Sequence, residues 1–409
     1  ATACSAAQDL ASEVLDEVWP ADAEPFTLAL GPDVRVSAGM RKRVDDQLSA
    51  RAEALTAAIN NSGLAEGQSW YAAAHEALLD WTIAQGFIAA HRSQQALCDV
   101  WFEHMPLSTV LPLRMNGTTC MLFRDSKMTR AEIALRWPAA KLKTGVSWTD
   151  GALDVEHNVT EGIVRDWSEP GVEAWNTCVK VDTIQGFVHE ARETGPGSKP
   201  FIDFAFMRMN GDTLGRGPAM IALPHIRVLN AVVQMHLDTL DMTLNGIWGY
   251  ETGGLNTEMI ELKPGLIVPY EPGTKGLVRL DSPRNEQGFR DAVLMIQAAI
   301  RDVMYGFDLG PVDRTPKSAT EVMARQNVGT KRKSGPHHRL LSGLITQTVQ
   351  FTDWALVKSG KLDPIDLAGI PGQIDGRQVL VKPASPLARS QRLDKVIRAR
   401  WPARSASTR

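Results

Sequence analysis

Apolar residues recur every three or four positions along much of this chain, most regularly between Gly215 and Gly360. Leu229, Val233, Leu237, Leu240 and Leu244 follow 4-4-3-4 spacing, which sets them on one face of a long helix. The turn Gly215-Arg216-Gly217-Pro218 delivers Pro218 to the helix start, where its missing N–H costs nothing, and Gly246 ends the helix. Pro224 is either a kink or the true first turn. Two strand-like runs follow, Met259–Leu262 and Leu266–Tyr270, in a stretch punctuated by Gly and Pro pairs and too small to fold alone. A second helix is predicted from Phe289, Val293, Ile296, Ile300 and Val303, with Arg290, Gln297 and Arg301 on another face. Gly306 to Pro316 reads as a loop. A third helix opens on the capping box Ser318-x-x-Glu321, breaks at Gly335-Pro336 and resumes to Lys358, with Leu340, Leu344, Phe351 and Ala355 on one side.

The first 200 residues read as a mixed α/β region with helices dominant. Residues 40–60 suit a charged amphipathic helix closed by Asn60-Asn61-Ser62-Gly63. Residues 69–90 carry Ala72, Leu78, Leu79, Ile83 and Phe87 near helical spacing, with Gly86 as an early stop. Apolar residues on both sides of Asn116-Gly117 predict a hairpin over 107–124. Thr129-Arg130-Ala131-Glu132 is a capping box for a short helix to Arg136. Residues 150–195 alternate as strands do and end in a flexible linker, Gly195-Pro196-Gly197-Ser198.

Composition narrows the class. The 409 residues carry ordinary apolar and charged fractions for a globular protein. No apolar run reaches the roughly 20 residues that span a bilayer, and no signal peptide precedes Trp19. The expectation is a cytosolic product with no membrane partner. The four cysteines lie far apart without metal spacing, so neither disulfides nor a zinc site are expected. A net charge of −3 speaks against tight DNA binding, which needs a basic excess, but not against a surface that DNA slides past.

Candidate chemistry is sparse. Gly360-Lys361 lacks the rest of a phosphate-binding loop, and no HExxH, GxSxG or GxGxxG pattern is present. No catalytic residue, metal or cofactor is expected. Lys331, Arg332, Lys333 and Arg339, beside His337 and His338, form a basic patch that reads either as a phosphate or acidic-surface contact or as a solvated helix face. Arg290, Gln297 and Arg301 either line a channel or pair between subunits. His225 reads as a packed or capped histidine, and the dispersed tryptophans as core anchors.

The stretch from Gly215-Arg216-Gly217-Pro218 through Leu223-Pro224-His225 to Leu229-Asn230 resembles the head-to-tail connector (portal) proteins of short-tailed, podovirus-type bacteriophages. So do Ser318-Ala319-Thr320-Glu321-Val322 with Arg325, Ser385–Arg392, Pro106-Leu107-Ser108 and Met128-Thr129. The sequence departs from that pattern at His225, where an acidic residue is usual, and at Ser318, where Thr is. The resemblance implies a helix-rich α+β portal fold that forms a ring of about twelve copies at a capsid vertex. Double-stranded DNA would pass through its axial channel without sequence specificity. Partners would be the terminase motor, the major capsid and scaffolding proteins and tail adaptors, in a virion assembled in the host cytoplasm.

By position, residues 1–214 would be the wing, 215–246 the first stem helix, 247–284 the clip and 285–305 the second stem helix. Residues 306–317 would be the tunnel loop, with Asp308, Leu309, Gly310, Pro311, Val312, Asp313 and Arg314 facing DNA. Residues 318–360 would be the long kinked wing helix and 361–409 a segment leading to a crown, which Trp401–Arg409 does not continue as a helix. Two rivals remain at this level: a DNA-processing enzyme such as a terminase subunit, and a virion adaptor that forms no channel.

Overall fold

The computed structural model describes residues 2–20, 24–32, 34, 37–63, 68–92, 98–115, 117–137, 155–182, 187–209, 211–245, 247–249, 278–280, 286–304, 339–366 and 371–383. The chain divides into two compact units, Ala7–Met220 with Arg314–Arg409, and Ala1–Ala6 with Ile221–Asp313.

The larger unit begins with helices. After α1 (Thr2–Val18) and the strand β1 (Phe26–Leu30) come α2 (Ala38–Asn60) and α3 (Trp70–Ile83). The Ser69 hydroxyl accepts the Ala72 N–H at 3.2 Å, so α3 starts on a side-chain cap. Trp19 and Trp70 pack at 4.3 Å between centroids, and the Trp70 indole donates to Thr348 Oγ1 at 3.3 Å. Large apolar side chains thus carry their polar tips to partners.

Strands dominate from Gln85 to Ala205. β2 (Gln85–Arg92) lies between β3 (Val100–His104) and β9 (Phe201–Ala205). A second antiparallel sheet has the order β4-β5-β6-β7-β8: β4 (Val110–Met115), β5 (Thr118–Thr129), β6 (Glu156–Asp166), β7 (Ala174–Val181) and β8 (His189–Thr194). Phe87, Ala89, Val110, Leu122, Ile163, Trp175 and Phe201 form one core that joins the two sheets. α4 (Arg130–Arg136) closes the other end by packing Ile133 on Met128, Val159, Val179 and Val181.

The predicted hairpin is present as β4–β5, with Gly117 at φ +79 in its turn. The capping box is complete: Thr129 Oγ1 accepts the Glu132 N–H and Glu132 accepts the Thr129 N–H. Two expectations fail. The helix foreseen over 69–90 stops at Ile83, and Gln85 to Ala90 is a wholly buried strand. A Cβ on Gly86 would stand 2.4 Å from the Phe204 ring and 2.5 Å from the Ala77 carbonyl oxygen, so the sheet packs against α3 at a glycine. The Gly195–Ser198 linker is tied down instead of flexible. Gly195 N–H donates to the Glu173 carbonyl and Gly197 N–H to the Glu173 carboxylate, and Ser198 is buried.

The described part of this unit resumes at Arg339. A five-residue π-helical segment, Leu341–Ile345, leads into α7 (Thr346–Lys358). Leu340, Leu344, Phe351 and Ala355 are buried, as their spacing requires. Arg51 of α2 holds α7 through Asp353 at 2.6 Å and the Asp363 carbonyl at 2.6 Å. After the short pair β12 (Ile365–Asp366) and β13 (Pro371–Gly372), β14 (Val379–Pro383) pairs antiparallel with β1, Phe26 opposite Pro383.

In the smaller unit lie most of α5 (Pro218–Asn245), the antiparallel pair β10 (Ile247–Gly249) and β11 (Val278–Leu280), and α6 (Glu286–Val303). Pro218 opens α5 and Pro224 sits inside it. His236 of α5 stacks on Phe289 of α6 with centroids 3.6 Å apart. Ile300 and Met304 are buried. The strand-like runs 259–262 and 266–270 and the Gly335-Pro336 break lie outside the described residues.

Candidate functional site

The root of α5 explains its glycines. Gly217 N–H donates to the Ile83 carbonyl at 2.8 Å, and Met207 and Arg216 exchange both backbone hydrogen bonds. A Cβ on Gly217 would stand 2.2 Å from the Thr82 carbonyl oxygen, and one on Gly215 2.8 Å from Ala205 Cβ. Only glycine lets this turn lie against the end of α3 and β9.

Beside that turn, Asp203 is buried in a polar cluster. Its carboxylate accepts from Lys199, from Arg208 Nη2 at 2.9 Å, from Thr119 Oγ1 at 2.9 Å and from Gln85 Nε2 at 3.1 Å. Burial pushes this carboxyl up. The two cations and the hydrogen bonds from Lys199 and Thr119 more than offset burial and hold it at about 2. β9 is an edge strand, and Gln347 of α7 covers its edge: its amide donates to the Asp203 carbonyl at 3.0 Å and accepts the Asp203 N–H at 3.2 Å. The same oxygen accepts from Lys199 Nζ at 2.9 Å. Sequence reading missed this cluster. Its one signal was an aspartate inside the apolar run Phe201–Phe206.

A second buried cluster joins the sheets. Arg136 bonds Glu103 at 2.9 Å and Glu161 at 3.3 Å, and Arg124 pairs with both carboxylates from the other side. Burial raises the Glu103 carboxyl, but the neighbouring guanidinium groups bring it down to about 2. Arg136 also lies over the rings of Trp101 and Trp137.

On α6 the three predicted polar residues do not share one environment. Arg290 and Arg301 are exposed, whereas Gln297 is half-buried and donates to Thr2 Oγ1 at 3.3 Å. Leu294 and Met295 stand 62% and 76% exposed on the same helix. Along α5, Ile221, Val228 and Met235 repeat every seven residues and are 45%, 51% and 67% exposed. Val233 and Leu237, which the spacing sets on one apolar face, are also exposed, and among the described side chains of that set only Leu229 is buried. His225 is exposed, not packed, because α5 leaves that side uncovered. Residues 308–314 and 331–333 lie outside the described residues; Arg339, of the basic patch, is helical and exposed.

Among the described residues no group of His, Cys, Asp and Glu could hold a metal ion, and no helix is long and apolar enough to cross a membrane. The family model for the bacteriophage head to tail connecting protein matches residues 1–399. The chain belongs to that family and is a structural portal, or head-to-tail connector, subunit.

Two solved structures resemble it. One is titled virion of native gene transfer agent (GTA) particle, at 12% identity over 98% of this chain and 86% of the other, with a TM-score of 0.43. The other, the neck of an empty GTA particle computed with C6 symmetry, has 13% identity, the same coverage and a TM-score of 0.44. No curated protein sequence matches.

Proposed function

We propose that this subunit closes with copies of itself into a ring of about twelve at one capsid vertex, around an axial channel for double-stranded DNA. The ring docks the terminase motor during packaging and tail adaptors afterwards, holds against capsid and scaffolding proteins, and is assembled in the bacterial cytoplasm before it becomes part of the virion. In this reading residues 1–214 are the wing, α5 and α6 the stem helices, 247–284 the clip, 306–317 the tunnel loop, 318–360 the wing helix and 361–409 the crown-leading segment.

The observation that carries it is the uncovered line Ile221, Val228 and Met235 on α5. A seven-residue repeat keeps one seam of a helix facing a partner helix. In a cyclic assembly that seam meets a different surface of the next copy, and the contacts close only at a fixed copy number. Arg290 and Arg301 are then left to face the channel. Native mass spectrometry and electron microscopy of the purified protein test the reading. A homogeneous ring of about a dozen copies with a central hole is expected; a stable monomer that hydrolyses ATP overturns it.

A further inference from the structure

The polar cluster around Asp203 is not electrically balanced. Lys199 and Arg208 both bond the Asp203 carboxylate. Gln85 links the same carboxylate to a third cation: its Nε2 donates to Asp203 Oδ2 at 3.1 Å, and its Oε1 accepts from Arg114 Nη2. The network therefore joins three cations to one carboxylate, a surplus of two positive charges.

That surplus lies at one end of the β4–β5 hairpin. The pairing register shifts between Leu113 and Arg114, and an irregularity of this kind re-aims the side chain beside it. Arg208 Nη1 reaches the same hairpin, donating to the Gly117 carbonyl at 3.3 Å. Burial, followed by the nearby Arg208 charge, pushes the Arg114 guanidinium down from its ordinary value, against the pull of Asp203. Gln85 is the one hydrogen-bond partner of Arg114 among the described residues, and no carboxylate pairs with it. Arg114 Nη1 and Arg208 Nε are left as unused donors. Arg208 is exposed and Arg114 half-buried, so the pair opens to solvent.

We propose that Arg114 and Arg208 bind a doubly charged phosphate group, carried by inorganic phosphate or by the terminal phosphate of a nucleic acid. Guanidinium donors match phosphate oxygens in geometry as well as charge. A terminal phosphate carries about −1.5 to −2 at pH 7, which matches the surplus. A carboxylate or a backbone phosphodiester brings a single charge and offsets only half of it. Lys199 and Asp203 position Arg208, and Gln85 positions Arg114. This inference does not depend on the copy number or channel proposed above.

Phosphorus NMR titration of the full chain at fixed ionic strength reads the site with inorganic phosphate as the probe. The wild type is expected to broaden the phosphate resonance. Arg114→Gln and Arg208→Gln are each expected to weaken binding about tenfold, because each removes a charge-assisted contact. Arg192→Gln, on β8 and paired with Asp166 and Glu169, is expected to bind as the wild type does. Circular dichroism checks that the variants are folded; the wild-type titration and the second arginine stand as tests if one variant is not. No binding by the wild type overturns the proposal, and so does undiminished binding by either folded arginine variant. Competition with short duplex DNA then separates the sources. Displacement by the 5′-phosphorylated duplex alone supports a nucleic-acid terminus, and displacement by neither duplex supports free phosphate. Equal displacement by the unphosphorylated duplex shows that backbone charge is read, which overturns the doubly charged ligand.

Discussion

At the scale of single residues, Asp203 and Gly217 decide how α5 is rooted. Asp203 has its carboxyl held at about 2, below the ordinary 3.8. A depressed carboxylate stabilises the fold above its unfolded value and loses that contribution as pH falls through the folded value. Stability is therefore expected to be level above about pH 4 and to drop by about 2 kcal/mol from this group as pH approaches 2. Glu103 acts in the same direction, its contribution lost as pH falls from its ordinary 4.5 through about 2. Asp203→Asn leaves Lys199 and Arg208 without their buried counter-charge, and a loss of about 3–5 kcal/mol is expected in urea unfolding. A loss under about 1 kcal/mol would show that water already screens the cluster.

Gly217→Ala places a methyl 2.2 Å from the Thr82 carbonyl. It is expected to cost about 1–3 kcal/mol, visible as a lower thermal midpoint. The glycines were legible in the sequence as a turn. That the turn lies against the end of α3 was not, because a close approach involves residues more than a hundred positions away.

At the scale of elements, capping and turn chemistry read directly from the sequence. The Thr129–Glu132 box, the hairpin at Gly117, Pro218 at a helix start and the end of α2 near Asn60 all stand where local residues put them. These features are satisfied within a few residues, so no distant partner can overrule them. Gln85–Ala90 differs: an apolar run continuing α3 is compatible with a buried helix or a central strand, and pairing with β3 and β9 selects the strand. α5 carries the element-scale prediction. Val228→Glu with Met235→Glu is expected to leave a folded monomer with unchanged circular dichroism and to abolish ring assembly in sedimentation. Both side chains are more than half exposed, so the fold loses no core contact. Rings that still form would remove this line from the subunit contact.

At the scale of the whole molecule, the order of segments follows the chain, but its closure does not. β14 completes a sheet with β1 across about 350 residues of sequence, and Arg51 ties α2 to α7 across a similar gap. The loop assignment is tested at this scale as well. Deleting Asp308 to Asp313 is expected to leave ring assembly intact while DNA packaging or retention falls. Loss of rings instead would make the loop a subunit contact.

By itself the sequence determined the family, the helix–excursion–helix order and the local starts and stops, because periodicity, capping and turn residues act over a few positions. Only the tertiary structure decided which apolar faces are covered. Leu340, Leu344 and Phe351 found a core within the chain, whereas Ile221, Val228 and Met235, equally periodic, did not. Spacing fixes which residues share a face. What that face meets depends on distant segments, which spacing alone does not place.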